Sequence, residues 1–306
     1  MHFQKKKRQH FVWRHYLRKW ANDERIFCLM DTKIFKTNLM NVGQEKYFYR
    51  LKELTDKEIS FLIEFIKKSK NEFLPDLNAG WISLFDNIFA IRRRINIAGA
   101  SDSEIEKMIE VIICNFEEEI QTAVESDGEK YLESMYDENL SFYDSDDDLR
   151  PFLYFLCIQY FRTQRMASFD TKTLEAFPDF NMDAMWAVLR HICATNVGWV
   201  LYAERKDNHP VLLKNETKME FITGDQPIIN TFAVGLNTHQ EPDNLEFYYP
   251  ITPKLAFLLT DKEEFKNCRS IHLNESDVKK YNKGIFDQSG KQVYASNAQI
   301  LEAVSG

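Results

Sequence analysis

Glycine and proline are scarce in this chain, at 10 and 8 of 306 residues. That scarcity excludes long flexible linkers and low-complexity spacers. The longest apolar run reaches about half the length a membrane helix needs, and the basic N-terminus lacks the apolar core of a secretory leader. The reading is therefore no membrane span, no signal peptide and a cytoplasmic location. Five cysteines, an odd number, are scattered at 28, 114, 157, 193 and 268. No Cys-x-x-Cys or Cys/His ligand spacing joins them, so no disulfide framework, no metal site and no cofactor is expected. A net charge of −8 excludes general coating of nucleic acid and leaves room only for a local basic groove. Gly-rich phosphate loops, Gly-x-Ser-x-Gly elbows and His-Glu-x-x-His pairs are all missing.

What the chain has in excess is aromatic surface, 24 Phe and 13 Tyr. Six of these rings fall in residues 149–169, LRPFLYFLCIQYFRTQRMASF, which read as the most buried helix of the protein. Asp146, Asp147 and Asp148 place negative charge at its start, and Pro151 suits its first turn. Phe152, Leu153, Phe155, Leu156, Ile158 and Phe161 make it apolar on nearly every side. Gln159, Arg162, Thr163 and Met166 then fall at i, i+3, i+4 and i+7, the spacing of one helix face. An arginine on such a helix needs a carboxylate, carbonyls or a bound anion.

The rest of the chain divides by pattern. Residues 25–30 and 34–39 are β-prone and flank the polar turn Asp31-Thr32-Lys33, a hairpin signal. Thr55 to Glu58 is a capping box ahead of Ile59, Leu62, Ile63 and Ile66. Helices are expected over 81–95, from a second capping box at Ser101–Glu104 to about 124, over 130–135 after an interruption at Gly128, and from Asn181 to about 201. The acidic stretch 137–148 reads as a solvated, helix-capping loop. Beyond Asn208 short β segments alternate with proline-bearing turns. The fold class is α+β, one integrated domain over 1–306: an N-terminal hairpin (25–49), a helical middle (55–205) and a β-containing C-terminal part (209–306) that pairs with the hairpin.

Four pieces in order resemble the bacterial family DUF4238. They are Gln9-His10-Phe11-Val12 with Tyr16-Leu17; Gln159-Tyr160-Phe161-Arg162-Thr163 with Arg165; Phe221-Ile222-Thr223-Gly224-Asp225-Gln226-Pro227 with Pro250 and 255–259; and Asn282 with Val293-Tyr294-Ala295-Ser296. The chain departs from the family pattern at Trp13 and Gln164, where proline is usual, and at Gly224 and Gln226, where serine and asparagine are usual. The resemblance supports one unit spanning nearly the whole chain and supplies no reaction.

Taken together, His10, Arg162 and Asp225 form the expected catalytic set, with Gln159, Thr163, Arg165 and Tyr16 as substrate-binding residues. Histidine would move a proton and arginine stabilise phosphorane charge, a metal-independent nuclease or nucleotide/phosphodiester hydrolase of the toxin or defence class. Its partners would be RNA, single-stranded DNA or a nucleotide, with bases stacked on aromatic rings. The alternative is a non-catalytic ligand- or partner-binding protein in which the same residues form a structural ion-pair network.

Overall fold

The computed structural model describes residues 4–168, 175, 177–236 and 242–305. The chain divides into two compact units, each drawn from three stretches: 1–9, 45–126 and 169–197 in the first, 10–44, 127–168 and 198–306 in the second.

Helices build the first unit. Helix α2 (Asp56–Lys67) starts on the anticipated capping box, Thr55 accepting from the Glu58 amide while Glu58 reaches back to the Thr55 amide. Helix α3 spans Leu74–Ile97, starting a full two turns before the sequence pattern suggested, with Pro75 in its first turn. Helix α4 (Ser103–Tyr136) begins in this unit, and its cap is Asp102 rather than Ser101, since Asp102 accepts from the amides of 104 and 105. Leu62, Ile66, Ile82, Phe85, Phe89, Ile113, Val188 and Ile192 are buried here. The last two lie on α6 (Met182–Ala203), which Asn181 caps as expected.

The second unit carries both larger sheets. β2 (Arg25–Met30) and β3 (Lys33–Asn38) pair in register Met30↔Lys33. Their turn is therefore two residues, Asp31 and Thr32, both with positive φ (49° and 66°), the conformation that matches strand twist. The C-terminal strand β11 (Val293–Ala295) lies between β2 and the short β6 (Thr223–Gly224), giving the order β3-β2-β11-β6. The expected pairing of hairpin and C-terminal part is thus direct. A second sheet runs β10-β5-β9-β8-β7, with β5 His209–Lys214, β7 Ile229–Asn230, β8 Phe247–Thr252, β9 Leu255–Thr260 and β10 Ser270–His272. Only β10 and β5 run parallel. Leu29, Val211, Tyr248, Leu258 and Val293 bury one shared core with Val278 and Ile285 of α7 (Glu275–Gln288) and Leu301 of α8 (Ala298–Ser305). The short β1 (Arg8–His10) pairs with β4 (Gln44–Lys46). The architecture is α+β, with no strand between 47 and 168 or 177 and 208 among the described residues. None of the described helices is long and apolar enough to cross a membrane.

Two sequence expectations fail for identifiable reasons. Gly128 does not interrupt α4, which passes through it unbroken. A Cβ there would lie 2.3 Å from the Phe155 ring, so the glycine serves close approach of two helices. The central helix, α5, spans Asp146–Phe161, not 149–169. It starts three residues early, which puts Pro151 inside rather than in the first turn. It also stops at Phe161, with Arg162 as C-cap and turns over 163–167. The Thr163 hydroxyl takes the Met166 amide at 3.4 Å and the Thr163 carbonyl takes that of Ala167, local bonds that close a turn in place of further helix. Gln159, Arg162, Thr163 and Met166 therefore share no helix face. Residue 169 lies outside the described residues.

Candidate functional site

Within the second unit, the end of α5 meets the turn that follows β6. The Thr163 hydroxyl donates to Gln226 Oε1, and Gln226 Nε2 donates to the carbonyls of Tyr160 (3.1 Å) and Ile228 (2.7 Å). Two of the motif pieces are thereby stitched together through one buried glutamine. Arg162 is the largest charged side chain wholly removed from solvent, and Gln159 is buried with its Nε2 unpaired among the described residues. Arg165 and His10 are half-buried.

Asp225 has a defined task. Its carboxylate accepts the amides of Gly290 (2.7 Å), Lys291 (2.7 Å) and Gln292 (3.0 Å). This is an anion nest of successive backbone N–H groups whose anion is the protein's own side chain. Burial pushes the carboxyl above the usual aspartate range, against the pull of the three amides. A carboxylate occupied in this way holds the connection between α7 and β11, which suits positioning better than proton transfer.

Tyr16, expected to bind substrate, is sealed in the core instead. Its hydroxyl donates to the Pro250 carbonyl at 2.7 Å and so accepts from the Thr223 hydroxyl at 2.6 Å, while its ring stacks on Tyr249. No face is left for a ligand base. Asn282 behaves alike, accepting from the Ile222 amide and donating to the Glu220 carbonyl. In the first unit Gln9 donates to the Cys114 carbonyl and accepts from the Tyr49 amide, both at 2.6 Å. Most motif residues are buried pins that satisfy backbone groups in irregular segments.

Gly224 stands where a side chain would meet its neighbours. A Cβ on Gly224 would fall 2.0 Å from Ser289 Oγ and 3.1 Å from the Gln292 carbonyl; Ser289 fills the space a side chain at 224 would need. Gly224→Ser is expected to cost roughly 1–3 kcal/mol from overpacking. In a Ser289→Ala background the same change should cost less by at least about 1 kcal/mol, a coupling read from a double-mutant cycle in urea. Equal costs in both backgrounds would remove the space-filling account.

A cleft of about 360 Å³ lies elsewhere in the second unit. Its walls are the turn Ser141–Asp144, the start of α5, the segment joining α6 to β5, and the loop before β10. Arg205, Lys206, Lys266 and Arg269 line it against two carboxylates, Asp144 and Asp146. Asp146 holds Arg205 at 3.3 Å and Asp144 holds Arg269 at 2.5 Å, fixing both guanidinium groups, while Lys206 makes no ion pair among the described residues. Tyr143 packs under the arginines, and burial pushes its hydroxyl well above the usual tyrosine range. His209 lines the cleft at 9% exposure, and its Nε2, closed off from solvent, has no hydrogen-bond partner among the described residues. None of the catalytic or substrate-binding residues expected from the sequence lines this cleft. Its signal was the run Arg205-Lys206-Asp207-Asn208-His209, charged and polar between an apolar helix and an apolar strand.

A family model described as "Protein of unknown function (DUF4238)" matches residues 8–299. No curated protein and no solved structure matches the chain.

Proposed function

We propose, on the premise that the chain belongs to the DUF4238 family, that it binds a small phosphorylated ligand of the nucleotide class in the cleft around His209. The observation that carries this reading is a cleft whose lining has four cations to two carboxylates. The cleft's size falls within the range of small-ligand sites. Arg205 and Arg269, each paired with one aspartate, keep further N–H groups for planar recognition of phosphoryl oxygens. Tyr143 and Phe265 supply aromatic edges beside the cations.

Calorimetric titration of the whole chain with pyrophosphate, AMP and ATP tests it. Binding at one site per chain is expected, weakened at least about tenfold, or 1.4 kcal/mol, in Arg269→Ala and in His209→Ala. Cys268, on the cleft wall and partly exposed, should react with a maleimide in the folded protein and be protected by the ligand. Cys28 and Cys157 should not react, being buried, with burial pushing the Cys28 thiol up to about 12. Absence of binding, or binding indifferent to both variants, overturns the proposal.

A second reading keeps phosphodiester hydrolysis by His10, Arg162 and Asp225, favoured by the complete burial of the Arg162 guanidinium. It requires turnover of bis(p-nitrophenyl) phosphate that His10→Ala abolishes and Arg269→Ala leaves intact. Ligand binding without such turnover selects the binding protein.

A further inference from the structure

We propose that His15, Glu129 and Glu133 form a binding site for one divalent first-row metal ion. All three belong to the second unit. Glu129 and Glu133 stand at i, i+4 on α4, and His15 comes from the short helix α1 (Arg14–Leu17). One donor atom from each lies within 4.8 Å of the others. His15 Nε2 is 3.5 Å from Glu133 Oε1, and Nδ1 is 3.9 Å from Glu129 Oε1.

Three features separate this set from a casual surface cluster. Like charges at i, i+4 repel, so placing both glutamates here without a cation would cost helix stability; neither carboxylate makes a hydrogen bond to another described residue. The imidazole is held in place from behind. Trp13 stacks on it at 4.9 Å and 26°, and Trp13 in turn meets the edge of Phe155, the ring against which Gly128 packs. Helix α4 and the ring are thus fixed by one contact chain beside the site, an arrangement that orients a ligand before the metal arrives. Finally, the buried Tyr136 hydroxyl has no hydrogen-bond partner among the described residues and feels the charge of both glutamates. A donor hydroxyl beside the site would be met by a metal-bound water.

The distances fit with small adjustment. Metal–nitrogen and metal–oxygen bonds of about 2.0–2.2 Å set donors about 3–3.5 Å apart. The glutamate side chains are 50% and 55% exposed, free to close the remaining ångström by rotamer change. One imidazole with two carboxylates suits Zn²⁺ or Mn²⁺ and leaves positions open for water. His15 lies more than a hundred residues before Glu129 and Glu133 in sequence, which is why no spacing motif announces the set.

Mn²⁺ is the cleaner probe, since the thiols of this chain compete weakly for it. Electron paramagnetic resonance of free Mn²⁺ should reveal one bound ion per chain, displaced by Zn²⁺. His15→Ala and Glu129→Gln/Glu133→Gln should each weaken binding at least about tenfold, with circular dichroism unchanged. In the unaltered chain Mn²⁺ should selectively broaden the His15 ring resonances, a readout that needs no variant to fold. No Mn²⁺ binding, binding undiminished in the variants, or broadening confined to other residues overturns the site.

Discussion

Asp225→Ala should destabilise the protein by roughly 3–5 kcal/mol, the cost of removing the charged partner from a buried set. Three amides, those of Gly290, Lys291 and Gln292, lose their acceptor at once. Hydrogen bonds to charged groups contribute about 1.5–3 kcal/mol each, less than additively when they share one carboxylate. The damage reaches past the turn, because Gln292 leads into β11, the strand that joins β2 to β6. Asp225→Asn keeps one acceptor oxygen and should lose about half as much. Urea denaturation with constant slope measures both. The opposite outcome is informative. An Asp225→Ala protein within about 1 kcal/mol of the parent, folded but without phosphodiester turnover, would return Asp225 to the catalytic set.

That contrast shows where sequence reading reaches and where it stops. The α+β division was legible because periodicity is local: α2 declared itself by Thr55 and Glu58, the hairpin by two β-prone runs around Asp31 and Thr32. The end of α5 was not, because Arg162 and Thr163 continue the helical spacing in sequence although the helix ends at Phe161. Gly128 misled for a similar reason. Its effect depends on Phe155, across a helix contact that no local pattern contains. The polar motifs were found, yet their task was not, since Asp225 is explained by amides of residues 290–292 and Tyr16 by Thr223 and Pro250. The cleft residues Arg205, His209 and Arg269 come together only when β10 pairs with β5.

The interleaving of the two units was equally hidden. Helices α4 and α6 are each single periodic elements, and nothing in their pattern marks the points near 126 and 197 where one compact unit gives way to the other. What the pattern of α6 does contain is Arg190-His191 in an otherwise apolar stretch, the same anomaly that drew attention to Arg162. Here the structure identifies the partner, and a buried charge cluster in the first unit follows.

Glu117, on α4, is wholly buried and lies 3.1 Å from His191 Nε2, with Arg190 Nη1 at 3.9 Å and Gln121 donating at 2.8 Å. The Trp81 ring covers the imidazole at 4.4 Å, and the Arg190 guanidinium lies over Phe48 and Tyr49. Burial pushes the Glu117 carboxyl up, but His191, Arg190 and Gln121 outweigh it and hold the group below the usual glutamate range. A depressed carboxyl contributes stability above its unfolded pKa of about 4.3, and that contribution is lost as pH falls through the folded value. Glu117→Ala should therefore cost roughly 3–5 kcal/mol near pH 7, leaving two basic side chains buried without their anion. Glu117→Gln should cost less, and its deficit relative to the parent should shrink as pH falls from the unfolded value of about 4.3 through the depressed folded one. Replacing all three groups together, Glu117→Leu with Arg190→Leu and His191→Phe, removes the charge and its desolvation cost at once. That triple variant is expected to be more stable than Glu117→Ala. Thermal and urea unfolding across pH 3–8 decides the matter. A Glu117→Ala deficit under about 1 kcal/mol, or one independent of pH, would mean that the pair is not what holds this part of the first unit together.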